Sequence, residues 1–127
     1  TYSGHPLACA AGLATLDVYK EEKLVERSKA MGKILGQIEE ELKRKHPCVG
    51  DVRYKGLFSA IELVKDKETK EPLVEYNKDP ENIMGGFSTY SHENNIIIAP
   101  PLIITETELR DAMAIMDEVL TDVDAMI

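Results

Sequence analysis

The spacing of apolar residues changes twice along this chain, and those changes restrict it to a mixed helix–sheet fold. Leu24, Ser28, Met31, Leu35, Ile38 and Leu42 recur at alternating steps of four and three, which predicts an amphipathic helix. His46-Pro47 ends it, because a residue before proline is driven out of the helical region. Its charged back, including Glu39-Glu40-Glu41 and Lys43-Arg44-Lys45, reads as a solvent face. From Val49 the pattern becomes that of strands. Val49 to Tyr54 and Leu57 to Val64 are short, rich in β-formers and separated by Lys55-Gly56. Asp66 to Pro72 is a charged hairpin tip leading into Leu73-Val74, and Asp79-Pro80-Glu81-Asn82 opens a helix that Gly85-Gly86 stops at once. Phe87 to Tyr90 is a short strand, Asn94-Asn95 a turn, and Ile96 to Ala99 a strand that Pro100-Pro101 terminates. The second change comes at Thr105, where Glu108 completes a capping box and Ile104 with Leu109 forms the staple. Leu109, Ala112, Met113, Met116, Val119, Leu120 and Val123 then form a helical stripe with acids opposite. The fold class is α+β: a small, mostly antiparallel sheet with helices packed on one face.

The first helix, from Pro6 to about Tyr19, differs from the others. Leu7, Ala10, Ala11, Ala14 and Val18 make one stripe, while Cys9, Leu13 and Leu16 cover the rest. A helix apolar nearly all round is buried on most sides, either inside this core or against another domain or subunit. Thr1-Tyr2-Ser3-Gly4-His5-Pro6 precedes it, so backbone N–H groups point toward Thr1 and Ser3. That is the chemistry of an anion site, usually for phosphate, and also that of an ordinary cap. A start at threonine, inside a capping loop, leads us to expect a piece of a longer polypeptide.

Charge and composition narrow the function. With 23 acidic and 15 basic side chains the net charge is −8, and beyond Pro101 only Arg110 faces seven acids, a field that repels a phosphate backbone. Nucleic acid is therefore not an expected partner. No apolar run reaches membrane-spanning length, and no stretch resembles a signal peptide. Cys9 and Cys48 belong to no CxxC pair; they favour a reducing cytoplasm, with a single disulfide left open. His5, His46 and His92 stand at no metal-ligand spacing and read as surface or cap residues, so no metal site is expected. A nucleophile elbow and a P-loop are both lacking. No lysine has the desolvated setting that a Schiff base needs.

Two separated segments together resemble a known family. Thr1 to Ala11, reading Thr-Tyr-Ser-Gly-His-Pro-Leu-Ala-Cys-Ala-Ala, is similar to the stretch just after the active-site lysine region of class-III (omega-type) pyridoxal-phosphate aminotransferases. Asn94 to Thr105 is similar to that family's final strand and the start of its last helix. Between them, Gly50 to Arg53, Gly56-Leu57-Phe58 and Ile61 to Val64 match its first small-domain strands. The resemblance runs in order over essentially the whole chain. It implies that residues 1–127 are the C-terminal small domain of a fold-type-I transaminase, with the large cofactor domain upstream. Residues 1–22 would then be an inter-domain or dimer-interface segment of a homodimer. The threonine matching Thr1 donates to the cofactor phosphate in such enzymes, commonly across the dimer, with Ser3 a second candidate. The implied reaction moves an amino group from an amine or ω-amino acid to an α-keto acid, the cofactor acting as electron sink. The Schiff-base lysine has no counterpart here, so the chain alone is expected neither to catalyse nor to retain pyridoxal 5'-phosphate.

Two departures bear on substrate. Many relatives carry a carboxylate-gripping arginine just before the last strand, whereas Thr89 to Asn94 contains none and His92 stands nearest. An imidazole can hydrogen-bond an anion but lacks the bidentate fork, which suggests a sulfonate or a short ω-amino acid. His92 also reads as a plain loop residue. Arg53 is a second substrate-binding candidate, beside a structural reading between a strand and a glycine turn. The stretch from Asp79 to Thr89 is shorter than the full helix of relatives. Two other functions stay open: an aminomutase of the same fold, and a stand-alone anion-binding regulatory or dimerisation module.

Overall fold

The computed structural model describes residues 3–74 and 90–127, with 90–92 described by their backbone. Helix α1 spans Pro6–Glu21 and α2 spans Leu24–Lys45; strands β1 (Val49–Lys55) and β2 (Phe58–Leu63) follow. Strands β3 (Tyr90–His92) and β4 (Asn95–Ile98) precede helix α3, Glu106–Asp124. The strands form one sheet in the order β1-β2-β4-β3, and every described pairing is antiparallel. The α+β class expected from the period changes is the one observed.

Strand alternation decides what faces the core. Val52, Ile61, Leu63, Ile96 and Ile98 are buried on one face of the sheet. Leu35 and Leu42 of α2, with Leu109, Met113, Met116 and Leu120 of α3, pack on that face in a single cluster. Each fully buried aliphatic side chain contributes about 1.5–3 kcal/mol, so this cluster is what holds the layers together. The hairpin turn also docks on α2. Gly56 takes φ +61, and a Cβ at Gly32 would lie 2.3 Å from the Gly56 carbonyl oxygen.

Several expectations hold and several need correction. Helix α2 ends at Lys45 with His46 extended, and α3 begins with the full Thr105–Glu108 capping box. Lys23 breaks the α1–α2 junction with φ 50. The turn before β4 is Glu93-Asn94, with Asn95 already in the strand, because Asn94 is buried and donates from Nδ2 to Leu63 O at 2.8 Å. Glu39 does not belong to the solvent face: its side chain is 0% exposed. The helix phase carries position 39 onto the inner stripe with Leu35 and Leu42. His46 is the C-cap of α2 but not a surface residue: it is 1% exposed, held by two aspartates of α3. The disulfide left open is absent, since Cys9 is exposed and Cys48 buried, both as free thiols. The bonds before Pro100 and Pro101 are trans. The short helix expected from Asp79, and Phe87 to Thr89 of the expected strand, lie outside the described residues.

The larger correction concerns α1. It buries none of its residues in this chain, and Leu7 and Leu13 are 73% and 64% exposed. The reading as an internal core helix therefore fails. No described helix is long and apolar enough to cross a membrane.

Candidate functional site

Two places in the fold carry the residues singled out by sequence. The first is the start of α1. Gly4 takes φ +74, His5 is the N-cap with an extended backbone, and Pro6 occupies the first turn. The first helical bond runs from Cys9 N–H to His5 O at 2.9 Å, so the amides of Leu7 and Ala8 lie ahead of it. Among the described residues no side chain caps this end, and the first turn holds no acid. Ser3 is exposed and makes no cap hydrogen bond, so it is not an ordinary cap. Uncapped amides beside a small hydroxyl, with positive dipole and no opposing carboxylate, fit a phosphate group. Thr1 itself lies outside the described residues.

The second place is the sheet face turned away from the core. Strand register sets Asp51 opposite Glu62, Glu62 opposite Asn95, and Asn95 opposite His92. Arg53 lies across this row. Its Nη1 donates to Glu62 Oε2 at 3.1 Å and its Nη2 to Asn95 Oδ1 at 2.8 Å, with Asp51 Oδ2 at 3.8 Å. In register Arg53 pairs with Ala60 and His92 with Asn95, so the two substrate-binding candidates stand on the outer strands β1 and β3, linked only by the reach of the Arg53 side chain to Asn95. Arg53 is exposed, yet its guanidinium already faces Glu62. An incoming carboxylate there would share the fork with that glutamate or displace it.

Three buried or bridging arrangements escaped the sequence reading. Glu39 Oε1 accepts from Ser59 Oγ at 2.5 Å, while Oε2 has no hydrogen-bond partner among the described residues. Burial pushes this carboxyl up to about 7 against the pull of the serine bond, with Glu40 adding to the rise. His46 bridges Asp117 and Asp124, and Lys45 pairs with Asp117 on its outer side. Hydrogen bonds from Lys45 and His46 hold Asp117 below the usual carboxylate range. At Asp124, burial pushes upward, but bonds from Cys48 and His46 outweigh it and leave that carboxyl low. Arg27 donates to Leu102 O at 3.1 Å and, from Nη2, to Ile103 O and Ile104 O at 2.8 Å each. The partners of His46 and Arg27 lie more than seventy residues away, which no local pattern reveals. Glu39 did leave one signal, its spacing of four from Leu35 on the apolar stripe.

Residues 1–120 match the family model described as Aminotransferase class-III. Among curated relatives, an ornithine aminotransferase of Bacillus cereus (strain Q1) is 43% identical over 122 residues, covering 95% of this chain and 28% of its own length. Ethanolamine-phosphate phospho-lyase homolog 1 of Caenorhabditis elegans is 37% identical over 129 residues, with coverage of 95% and 27%. A solved structure of taurine:2-oxoglutarate aminotransferase from Bifidobacterium kashiwanohense, in complex with PLP and glutamate, superposes with a TM-score of 0.89 at 46% identity. That superposition covers 98% of this chain and 30% of the other. The chain thus spans between 27% and 30% of the length of these relatives. With its helix–sheet layers shared and nearly all of its length matched, the chain belongs to the class-III aminotransferases.

Proposed function

We propose that this chain serves as the C-terminal small domain of a pyridoxal-phosphate-dependent, fold-type-I transaminase acting in the cytoplasm. The observation that carries the reading is the likeness to a taurine:2-oxoglutarate aminotransferase with PLP and glutamate, at 46% identity over 98% of this chain. The reaction is amino transfer from a short ω-amino acid or ω-amino sulfonate to an α-keto acid such as 2-oxoglutarate. When bound, the cofactor supplies the electron sink for that transfer.

This chain's own contributions are binding and orientation. The uncapped amides at the start of α1, with the hydroxyls of Thr1 and Ser3, would hold the cofactor phosphate, Thr1 across a homodimer interface. The apolar surface of α1, which finds no cover within this chain, supports residues 1–22 as a packing face for the large domain or the second subunit. Arg53 and His92 would orient the acidic group of the amino donor. With no arginine at the position of His92, a tetrahedral sulfonate, which needs no planar fork, suits the donor's acidic group better than an α-carboxylate.

The test is a glutamate-release assay on the full-length polypeptide supplied with pyridoxal phosphate, 2-oxoglutarate and a panel containing taurine, β-alanine and ornithine. Glutamate should appear only when donor and acceptor are both present, and fastest with a short ω-amino acid or taurine. Isomerisation of a single substrate without an acceptor would mark an aminomutase instead. The phospho-lyase homolog at 37% identity supports a second reading, elimination of phosphate. Phosphate release from ethanolamine phosphate with no glutamate from any donor would establish that reading and end the first.

A further inference from the structure

An open groove of about 740 Å³ lies between the end of α1, the first half of α2 and the β1–β2 turn. Its size falls within the range of small-molecule sites. The floor is a rigid contact: Gly32 and Gly56 meet backbone to backbone, and Leu57 N–H donates to Ser28 Oγ at 3.2 Å. Tyr19, Leu24, Val25, Tyr54 and Leu102 supply apolar and aromatic walls. Lys29, Lys33 and Lys55 also line it, and among the described residues no acidic one does. The described lysine ion pairs engage Lys20, Lys43, Lys45 and Lys65, leaving those three with none among the described residues. In a chain of net charge −8, three unpaired ammonium groups around one apolar groove are a local reversal of the prevailing field.

We propose that this groove binds a small amphipathic carboxylate, its ring or chain between Tyr19, Val25 and Tyr54 and its charged end at the lysine rim. A bare inorganic anion would leave the apolar walls uncovered, and a neutral hydrophobe would leave the ammonium groups unpaired. Only a ligand with both parts satisfies both surfaces. Such binding needs no cofactor and does not depend on amino transfer.

The experiment is isothermal titration calorimetry on the full-length polypeptide, with 2-naphthoate as probe and 2-naphthylmethanol as its uncharged counterpart. The acid should bind saturably and about tenfold more tightly than the alcohol. The exposed double variant Lys29→Glu/Lys33→Glu, checked for folding by circular dichroism, should lose about tenfold for the acid and leave the alcohol within about twofold. Val25 is 66% exposed, so Val25→Trp should fold, fill the groove and weaken both probes. Equal affinity for acid and alcohol, absence of saturable binding, or unchanged 2-naphthoate affinity in the double variant would overturn the assignment.

Discussion

His46 Nδ1 lies 2.6 Å from Asp124 Oδ2, joining the residue just after α2 to the last residue of α3. The other ring nitrogen lies 2.8 Å from Asp117 Oδ1, and Asp124 Oδ1 also accepts from Cys48 N–H at 2.9 Å. Carboxylates only accept, so a ring protonated at both nitrogens satisfies both partners, whereas a neutral ring satisfies one. Removing the imidazole leaves two half-buried carboxylates facing each other. His46→Ala is expected to cost roughly 3 kcal/mol in urea unfolding. Asp117 and Asp124 are both depressed below the ordinary value of 3.8, so their contribution is complete above that pH and lost as pH falls through their folded values. The acid limb of the stability profile should therefore be shallower in Asp124→Asn than in the parent chain.

Glu39 has the opposite sign. Its folded value is raised from 4.5 to about 7, so above pH 4.5 the unfolded chain ionises this group while the fold retains the proton. Stability should fall as pH rises from 4.5 to about 7 and level off beyond. Glu39→Gln removes that slope and is expected to make the protein about 1–3 kcal/mol more stable at pH 8. Chemical denaturation at pH 5 and pH 8 checks it; a variant that is less stable than the parent at pH 8 would show that the fold does not raise the Glu39 carboxyl.

What sequence could reveal here was local. Thr105 and Glu108 are three residues apart, and both capping bonds form, Glu108 N to Thr105 Oγ1 at 3.2 Å and Thr105 N to Glu108 Oε2 at 2.8 Å. The limits of α2 followed from an apolar stripe and a proline. Glu39 was misread because a run of three glutamates resembles a wet face, although the helix turns one of the three inward. His46 does close α2 as Pro47 indicates, but its burial is not legible locally, because its partners come from the far end of the chain. In the candidate site, Arg53 and His92 were named as separate residues. Their placement on the two outer strands, with β2 and β4 between them, follows from the strand order, which a list of strands does not contain.

Gly32 tests the docking of the hairpin turn. A methyl group there would stand 2.3 Å from the Gly56 carbonyl oxygen, backbone against backbone, with no side chain able to yield. Gly32→Ala should destabilise by roughly 2–3 kcal/mol. Gly12, also helical, has nothing within 4 Å of an added Cβ, so Gly12→Ala should instead stabilise the helix by about 0.5–1 kcal/mol. Thermal unfolding of the pair distinguishes steric blockage from a general effect of alanine. Equal shifts in both would show that the turn does not bear on Gly32.

Arg27 fastens the segment between β4 and α3 to the first turn of α2. Its guanidinium reaches Leu102 O, Ile103 O and Ile104 O, three consecutive carbonyls that make no strand or helix bond of their own. Arg27→Ala removes all three donors, but exposed Ile103 can turn its carbonyl to water, so the cost should be about 2 kcal/mol rather than the sum of three charged bonds. Arg27→Lys keeps the charge and loses the fork: a single ammonium cannot span carbonyls on successive residues, so it should recover less than half of that loss. Hydrogen exchange locates the effect. The Ile104 amide, which donates to Pro101 O at 3.0 Å, should lose protection in Arg27→Ala, while amides of β1 and β2 keep theirs. Loss of protection spread evenly over the sheet would mean that Arg27 supports the whole layer and not this segment.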